Sequence, residues 1–398
     1  MIKTMVLPQN VEYIIEKLNK NGFDAYVVGG CVRDYIMGKA PKDWDITTSA
    51  SPQQVKAIFD HTVDTGIKHG TVTVMLDKVG YEVTTFRIDG EYEDNRHPKQ
   101  VVFTTKLEGD LSRRDFTINA LAYCHKTGFV DMFCGIEDIK NKVIRGVGQA
   151  DLRFREDALR MLRALRFSAQ LDFNIEAETY RAIIDNAQLI KNISVERIRD
   201  EITKLIMTDN PDKISLVAQC GLLRLFMPEI EKNITEKNCL ALKLSVKNVV
   251  VRYAVLFQNV ENREKLLKAF TVDNKTNKGV CNILKLGNNS IVNTPYEIRR
   301  LLYNCNADKE SFNNIVEFRR AMGFSYVDEL EKMGNSIFEN NDCISLKNLA
   351  LTGQDIMALG FTGKAVGEML SRCMEAVLKE PDKNNKEFLF GVIKQCTH

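Results

Sequence analysis

The chain has 398 residues, a formal net charge of +2 and 44% hydrophobic residues. This length predicts about two to four domains, and the apolar content is ordinary for a globular protein with a sizeable core. The near-neutral total neither indicates nor excludes a nucleic acid partner, because it can conceal a local basic surface.

The ten cysteines include no Cys-x-x-Cys pair, and the five histidines form no His-x-x-His cluster. These patterns argue against a disulfide framework and against a zinc site. The chain also begins without the apolar core of a signal peptide and has no apolar stretch long enough to span a bilayer. We therefore expect a reduced, cytoplasmic protein without a membrane partner.

Strand-like patterns are confined to the first third of the chain, and helical periodicity follows beyond about residue 136. The predicted strands are residues 26–28, 44–47, 71–76, 81–86 and 101–104, with residues 118–123 fitting either a strand or a helix. Apolar residues then recur at helical spacing, as in the stripe of Leu159, Leu162, Phe167 and Leu171. The sequence predicts a mixed α/β head, followed by a long all-helical remainder.

A Gly-Gly turn follows the first predicted strand. Gly29 and Gly30 allow the backbone to turn sharply and to approach a phosphate closely, and Arg33 would then face the bound anion. Taken alone, the segment could also be an ordinary turn.

Two carboxylates, Asp43 and Asp45, lie one residue apart shortly after this turn. The two-residue period of a strand puts both on one face, with Trp44 and Ile46 on the core side. Closely spaced carboxylates bind cations that prefer oxygen ligands, and two Mg²⁺ ions there would bridge a hydroxyl and a triphosphate. An acidic strand end is the alternative, but the combination with the Gly-Gly turn favours nucleotidyl transfer to a hydroxyl.

The run GGCVRD, eight residues and then DWDITT resembles the first signature of a known family. Further matching segments follow in order: YEVTTFR at 81–87, DGEYEDNRHP at 89–98, LSRRDFTINA at 111–120, DMFCG at 131–135, EDALRMLRALRF at 156–167 and SVERIR at 194–199. The family is the class II branch of the tRNA nucleotidyltransferases and bacterial poly(A) polymerases, within the polymerase-beta-like superfamily. The resemblance covers roughly the first half of the chain and is greatest to bacterial CCA-adding enzymes.

The resemblance implies a fold and a domain order. Residues 1–140 would form the catalytic nucleotidyltransferase head with a polymerase-beta-like mixed sheet, and residues 141–210 a helical neck that selects the nucleotide base. Residues 211–310 and 311–398 would form a helical body and tail that bind tRNA. The segment 89–98 looks like the flexible loop retained by enzymes that add all three terminal nucleotides.

The implied reaction is attack of an RNA 3′-hydroxyl on the α-phosphate of a nucleoside triphosphate. Asp43 and Asp45 would be the catalytic metal ligands. Glu82 is the candidate for a third carboxylate that polarises the hydroxyl, and a strand-face charge paired with Arg87 is the alternative for it.

Arg114 and Asp115 are candidate nucleotide ligands from the Arg-Arg-Asp segment. The guanidinium of Arg114 would bind the triphosphate, and the carboxylate of Asp115 would accept a hydrogen bond from a ribose hydroxyl. Such a triplet is often a surface ion pair, which is the alternative here.

Base selection is predicted on a helix that starts near residue 156. Asp157 and Arg160 are three residues apart and so would be neighbours on one face, which Arg163 extends by a turn. A carboxylate accepting from an exocyclic amine and a guanidinium donating to a ring nitrogen would accept cytosine and adenine and disfavour uracil and guanine. An exposed salt bridge is the alternative. By resemblance, Arg163 and Arg166 would bind phosphate; otherwise they form a basic stripe.

The leading prediction is a template-independent CCA tRNA nucleotidyltransferase that uses two Mg²⁺ ions, with CTP and ATP as substrates. Its partner would be tRNA, bound at the 3′ end and along the backbone of the acceptor and T arms. A bacterial poly(A) polymerase, an enzyme adding only CC or only A, and a non-catalytic RNA-binding relative are the alternatives. The chain lacks the strongly basic extension expected of an enzyme that holds unstructured RNA. Assembly into a homo-oligomer is compatible with the sequence.

Overall fold

The computed structural model describes residues 4–90, 101–288 and 294–395. The chain divides into two compact units, Met1–Lys232 and Asn233–His398. Across the described ranges, no helix is both long and apolar enough to cross a bilayer.

The first unit contains a mixed sheet. Its strands, with two further pairs, are β1 (Ala25–Val28), β2 (Ile46–Thr48), β3 (Thr62–Gly66), β4 (Thr71–Leu76), β5 (Val79–Thr85), β6 (Arg87–Asp89), β7 (Val101–Phe103), β8 (Leu121–Cys124), β9 (Gly128–Asp131), β10 (Val143–Ile144) and β11 (Asn174–Ile175). Seven of them form one sheet in the order β3-β4-β5-β2-β1-β8-β9, while β6 pairs with β7 and β10 with β11. Within the large sheet, β2 and β5 are parallel and the other neighbours are antiparallel. The end of β1 and the start of β2 therefore lie beside each other in the middle of the sheet.

Helices cover this sheet and continue beyond it. They are α1 (Gln9–Lys20), α2 (Gly30–Ile36), α3 (Pro52–Ile58), α4 (Leu107–Ser112), α5 (Gly135–Lys140), α6 (Ala150–Glu156), α7 (Leu159–Leu171), α8 (Ala177–Asn186), α9 (Val195–Ile206), α10 (Ile214–Gln219), α11 (Leu223–Phe226) and α12 (Pro228–Glu231). Helix α7 is buried along most of its length and packs against α9. Because α7 is so enclosed, its arginines must be paired or face a cavity.

The second unit is helical throughout its described residues. Its helices are α13 (Glu236–Leu244), α14 (Val249–Leu256), α15 (Arg263–Ala269), α16 (Asn274–Leu286), α17 (Pro295–Asn304), α18 (Lys309–Ala321), α19 (Val327–Glu339), α20 (Gly353–Met357), α21 (Lys364–Lys379) and α22 (Lys386–Gln395). Polar side chains cap several of them: Asp273, Thr294 and Asp308 each accept a hydrogen bond from the backbone of the first helical turn. These caps satisfy N–H groups that have no partner within the helix.

The predicted fold class, a mixed α/β head followed by helices, is confirmed. Strand β4 has the predicted bounds, and β1, β5 and β7 differ from theirs by one or two residues. The ambiguous segment 118–123 contains both alternatives in succession, because a short 3-10 helix at Thr117–Asn119 is followed by β8.

Candidate active site

A cleft of about 740 Å³ opens in the first unit beside the ends of β1 and β2. Nine of the twelve predicted site residues line it: Gly29, Gly30, Arg33, Asp43, Asp45, Arg114, Asp115, Arg163 and Arg166. The other three, Glu82, Asp157 and Arg160, are not among its lining residues. Four arginines and two exposed carboxylates in one cleft can bind a polyanion together with cations.

The Gly-Gly turn is fixed at the end of β1 by backbone hydrogen bonds on both sides. The N–H of Val28 donates to the carbonyl of Asp45, and the N–H of Gly29 donates to the carbonyl of Leu121, both at 3.0 Å. Gly29 has φ 82°, and a Cβ at this position would lie 2.9 Å from Nη1 of Arg114. The backbone conformation therefore requires glycine, and a larger residue would also displace the end of the Arg114 side chain.

The acid pair lies in the segment that leads into β2, not in the strand itself, because β2 begins at Ile46. Asp43 and Asp45 are exposed in the cleft, Trp44 is half-buried and Ile46 is buried. The carboxylate of Asp45 is accessible from the cleft but has protein on its other sides. This desolvation raises its pKa, Arg114 opposes the rise, and the charge of Asp43 adds to it.

The acid pair fits a magnesium site that is completed by substrate. Among the residues that the structure describes, no three acidic, histidine or cysteine side chains group together as metal ligands. Mg²⁺ commonly uses one or two protein carboxylates and takes its remaining oxygens from substrate phosphates and water. Two carboxylates open to a cleft that is lined by arginines satisfy this requirement.

Glu82 lies on β5 and is exposed. The register pairs Ile46 with Val83, so extending it by one residue places Glu82 beside Asp45, which directly precedes the neighbouring strand β2. Its side chain does not join the residues that line the cleft. The role of a third carboxylate stays a prediction for this residue.

Arg33 is held at the cleft wall by two side chains. Its Nη1 donates to Oδ1 of Asn119 at 2.7 Å, and its Nε and Nη2 donate to Oδ1 of Asp34 at 2.9 and 2.7 Å. The residue is 5% exposed. Its guanidinium is therefore fixed before any ligand binds.

Arg114 is held more loosely than Arg33. Its Nη2 lies 3.3 Å from Oδ2 of Asp110, and its Nη1 lies 3.5 Å from the carbonyl of Asn119. Within the described part of the chain, its buried Nε has no hydrogen-bond partner. An arginine with unmet donor capacity beside a glycine turn and an acid pair is well suited to accept a phosphate oxygen.

Asp110 forms an ion pair with Arg114. It is fully buried, and its Oδ1 also accepts from Nη2 of Arg113 at 2.7 Å. Burial raises the pKa of Asp110, but the two guanidinium groups outweigh this effect and hold the pKa below its usual value. The sequence reasoning missed this carboxylate, although its place three and four residues before the two arginines is a recognisable helical ion-pair spacing.

Asp115 is saturated with hydrogen bonds from the protein. Its Oδ2 accepts from Nε and Nη2 of Arg163 at 2.8 and 2.6 Å, and its Oδ1 accepts from the N–H of Phe116 and from Nδ2 of Asn119. A carboxylate has about four lone-pair positions. Binding of a ribose hydroxyl to Asp115 would therefore require one of these donors to move.

The Asp115–Arg163 pair predicts a specific dependence of stability on acid. Burial raises the pKa of Asp115, but Arg163 and Asn119 outweigh it and hold the pKa at about 2, below the ordinary 3.8. This depressed pKa stabilises the fold fully above pH 4, and the stabilisation is lost as pH falls from about 4 through about 2. We expect Asp115→Asn to remove about 2 kcal/mol of the acid-induced loss in unfolding free energy over this range.

Urea unfolding followed by the fluorescence of Trp44, the one tryptophan of the chain, measures this effect in the first unit. Asp185→Asn is the matched control, because Asp185 is an exposed aspartate of α8. The control should keep the wild-type slope between pH 4 and pH 2. Identical slopes for wild type and Asp115→Asn would contradict the prediction.

Arg166 is anchored to a different helix. Its Nε donates to Oε2 of Glu201 on α9 at 2.6 Å, and its Nη1 donates to Oε1 of Gln170 at 2.7 Å. Arg166 is 8% exposed and Glu201 is 4% exposed. The α7–α9 contact thus fixes the arginine at the cleft.

The prediction that Asp157 and Arg160 share one face of a helix is wrong. Helix α6 ends at Glu156, Asp157 has the extended angles φ −137° and ψ 103°, and α7 begins only at Leu159. Oδ1 of Asp157 accepts from the N–H of Leu159 at 3.1 Å, and its Oδ2 accepts from Nη2 of Arg197 at 2.9 Å. A carboxylate that satisfies a free N–H at a helix start must precede the helix, which breaks the assumed helical spacing.

Arg160 is also bound within the protein. Its Nη1 donates to Oε2 of Glu156 at 2.7 Å, and its Nη2 donates to the carbonyl of Arg113 at 2.9 Å. It is 9% exposed. The base-reading role of Asp157 and Arg160 stays a prediction.

The lining residues that were not recognised as site residues from the sequence include Lys39, Lys42, Phe167 and Gln170. The two lysines lie in the eight-residue spacer between the glycine and acid motifs. The spacer has to lead the chain from the end of β1 to the adjacent start of β2, so its residues lie near both motifs. This proximity is the signal that could have identified the two lysines. Phe167 was assigned to an apolar stripe, and its ring reaches the cleft.

The loop predicted at residues 89–98 falls mostly on residues 91–100, outside the described residues. Strands β6 and β7 on either side of it pair in antiparallel register, Ile88 with Val102. The proposed function of this loop stays a prediction.

Three family profiles match the chain in succession. The Poly A polymerase head domain matches residues 25–145, the probable RNA and SrmB-binding site of polymerase A matches residues 172–234, and the putative domain 2 of tRNA nucleotidyltransferase matches residues 246–393. The CCA-adding enzyme of Leuconostoc mesenteroides is 54% identical over 209 residues, 52% of each chain. The chain thus spans about half the length of the curated relatives it matches.

Solved structures resemble the chain over nearly its whole length. The crystal structure of the Bacillus stearothermophilus CCA-adding enzyme in complex with CTP is 33% identical, covers 99% of this chain and 98% of its own, and has a TM-score of 0.84. The Thermotoga maritima CCA-adding enzyme complexed with tRNA has a TM-score of 0.69 at 21% identity, covering 98% and 96% of the two chains. The second similarity supports the fold alone.

Proposed function

Because the chain belongs to the family of CCA-adding nucleotidyltransferases that carry a poly(A) polymerase head domain, we propose that it completes or repairs the 3′-terminal CCA of tRNA. The substrates in this proposal are CTP and ATP, and no template is needed. One observation carries the proposal: the acid pair, the Gly-Gly turn and four arginines line a single cleft. Together these side chains can bind the cations and the triphosphate that nucleotidyl transfer to a hydroxyl uses.

Asp43 and Asp45 would hold two Mg²⁺ ions. Bound there, Mg²⁺ would increase the acidity of the attacking hydroxyl and offset the charge of the triphosphate. The carboxylates fit this role because both are exposed in the cleft and leave coordination positions for phosphate and water. A bound cation would also compensate the unfavourable desolvation of Asp45.

The arginines have different parts in this proposal. Arg114, with a buried Nε that lacks a partner among the described residues, is the proposed direct ligand of the triphosphate. Arg33 and Arg166 are nearly buried and tightly paired, so they would contribute a fixed positive potential to the cleft wall. The side chain of Arg163 is more exposed than those of Arg33 and Arg166, so it would face phosphate while it keeps its ion pair with Asp115.

The proposed reaction joins the RNA 3′-oxygen to the α-phosphorus and breaks the bond between that phosphorus and pyrophosphate. The protein has no covalent step to perform. Its part is to align the hydroxyl with the triphosphate and to stabilise the negative charge that moves onto pyrophosphate. Arg33 and Arg166, which their partners already hold in place, would do this without reorganisation at the moment of reaction.

We also propose that helices beyond the head hold the tRNA. The profile that matches residues 172–234 describes an RNA-binding site, and the one that matches residues 246–393 describes a tRNA nucleotidyltransferase domain. In this proposal the neck at 141–210 selects the nucleotide base, and the body at 211–310 and the tail at 311–398 bind the tRNA. The acceptor and T arms would be bound through their backbone.

The proposal is tested with purified protein and three RNAs: a tRNA transcript lacking CCA, a transcript lacking only the final A, and an oligo(A) primer. Each receives CTP and ATP separately and together. We expect CCA to be restored on the first transcript and A on the second, followed by a stop. A transcript that already ends in CCA is the control and should gain nothing.

Other outcomes identify the alternatives. Long A tails would indicate a poly(A) polymerase, and a stop after CC or addition of A alone would indicate a partial enzyme. Failure to incorporate either nucleotide into any of the RNAs would indicate a non-catalytic relative.

A further inference from the structure

The ring of Phe167 lies among three of the four cleft arginines. The guanidinium carbon Cζ of Arg166 is 4.1 Å from the ring centroid, that of Arg33 is 5.3 Å and that of Arg163 is 5.4 Å. Phe167 lies in the last turns of α7, is 6% exposed and lines the cleft. One aromatic side chain thus contacts cations from two separate helices.

Three guanidinium groups gathered at one place repel one another. Each has its own carboxylate: Asp34 lies 2.7 Å from Arg33, and Asp115 and Glu201 lie 2.6 Å from Arg163 and Arg166 respectively. These carboxylates lie on different segments, and each of the three ion pairs holds a single arginine. The ring is the contact that all three share.

The attraction between a guanidinium and an aromatic face is strongest where water is excluded. The side chains of Arg33 and Arg166 are 6% and 10% exposed, so two of the three contacts are largely dry. The ring itself is fixed by Phe116, which meets it edge-on with the centroids 5.8 Å apart and the planes at 81°. Phe116 directly follows Asp115. The ring of Phe167, on α7, therefore contacts both the segment that contains Asp115 and the segment that contains Arg33.

We propose that Phe167 is a positioning residue for the triphosphate of the incoming nucleotide. Its π face holds the guanidinium groups of Arg33, Arg163 and Arg166 together, and so keeps a concentrated positive charge at the cleft wall. The inference rests on the proposed function for the identity of the ligand. A purely apolar side chain of similar size would fill the space without gathering the cations.

Stepwise fluorination of the ring tests this inference with little change of volume. The full-length chain with phenylalanine, 4-fluoro-, 3,5-difluoro- or 3,4,5-trifluorophenylalanine at position 167 is titrated with inorganic tripolyphosphate by calorimetry. Fluorine withdraws charge from the π face, so the affinity should fall with each substitution, by about tenfold over the series. Equal affinities across the series, at unchanged melting temperatures, would overturn the proposal.

Two substitutions by natural residues distinguish the effect of the aromatic ring from the effect of side-chain volume. Phe167→Tyr keeps the π face and should retain the affinity for tripolyphosphate, whereas Phe167→Leu should lose about tenfold. In nucleotide addition, Phe167→Leu should raise KM for CTP and ATP alike and change kcat less. Phe154→Leu is the matched control, because Phe154 is fully buried in α6 and cannot touch a ligand.

The outcomes for the ring and for the proposed function are distinguishable. If the wild-type chain adds no nucleotide to any RNA, the proposed function fails, while the tripolyphosphate series still tests the ring. If the wild type restores CCA and Phe167→Leu binds tripolyphosphate as tightly as wild type does, the function stands and the positioning role is wrong.

Discussion

Replacing Asp43 and Asp45 together by asparagine is expected to reduce nucleotide incorporation into tRNA by about a thousandfold or more. The amides keep the shape of the side chains but remove both negative charges that would hold the cations. Loss of about 4 kcal/mol of transition-state stabilisation corresponds to this factor. Initial rates with a transcript lacking CCA, at saturating CTP and ATP, give the measurement.

The matched control is Asp60→Asn, which removes an exposed carboxylate from the same unit. It should incorporate nucleotides at the wild-type rate. Circular dichroism melting of the three proteins should show similar midpoints, because exposed acids contribute little to stability. An undiminished rate in the double variant would show that the acid pair does not serve the chemistry.

The head of the molecule could be predicted from local patterns. Strands β4 and β5 are rich in β-branched residues, the glycines of the first signature follow β1, and its acids precede β2. Strand β3 was missed because its sequence TVDTG is polar and the strand is largely exposed at the edge of the sheet. Such an edge strand carries little of the hydrophobic alternation on which the prediction depends.

The cleft residues were predictable by type but not by partner. The Arg163–Asp115 and Arg166–Glu201 pairs join residues 48 and 35 positions apart. No local spacing encodes such pairs, since they arise only when α7 packs between the head and α9. The sequence predicted these arginines as ligands without showing that each is already bound to a carboxylate.

The predicted start of α7 was wrong for a different reason. The run EDALRMLRALRF has continuous helical periodicity, so the break between α6 and α7 is invisible to a pattern of apolar positions. An aspartate directly before an apolar helical run is also typical of a residue that caps the helix. Weighing that signal for Asp157 would have placed it outside the helix.

Replacing Asp157 by alanine is expected to increase UMP and GMP incorporation relative to CMP and AMP by about 10- to 100-fold. The carboxylate would accept from the exocyclic amine of cytosine or adenine, and it would repel the keto oxygen of uracil or guanine. In the present structure Oδ2 of Asp157 is bound to Arg197, so base reading requires that oxygen to be shared or released. Single-turnover rates with each of the four nucleotides give the selectivity directly.

Asp157 also supports the start of α7, and this structural role makes a different prediction. Loss of a helix cap costs about 1 kcal/mol of stability and would lower incorporation of all four nucleotides by a similar factor. Asp185→Ala, an exposed aspartate of α8, controls for the loss of surface charge and should leave selectivity unchanged. A uniform loss in Asp157→Ala would therefore assign the residue to the architecture of the neck. A selective gain for uracil and guanine would assign it to the choice of base.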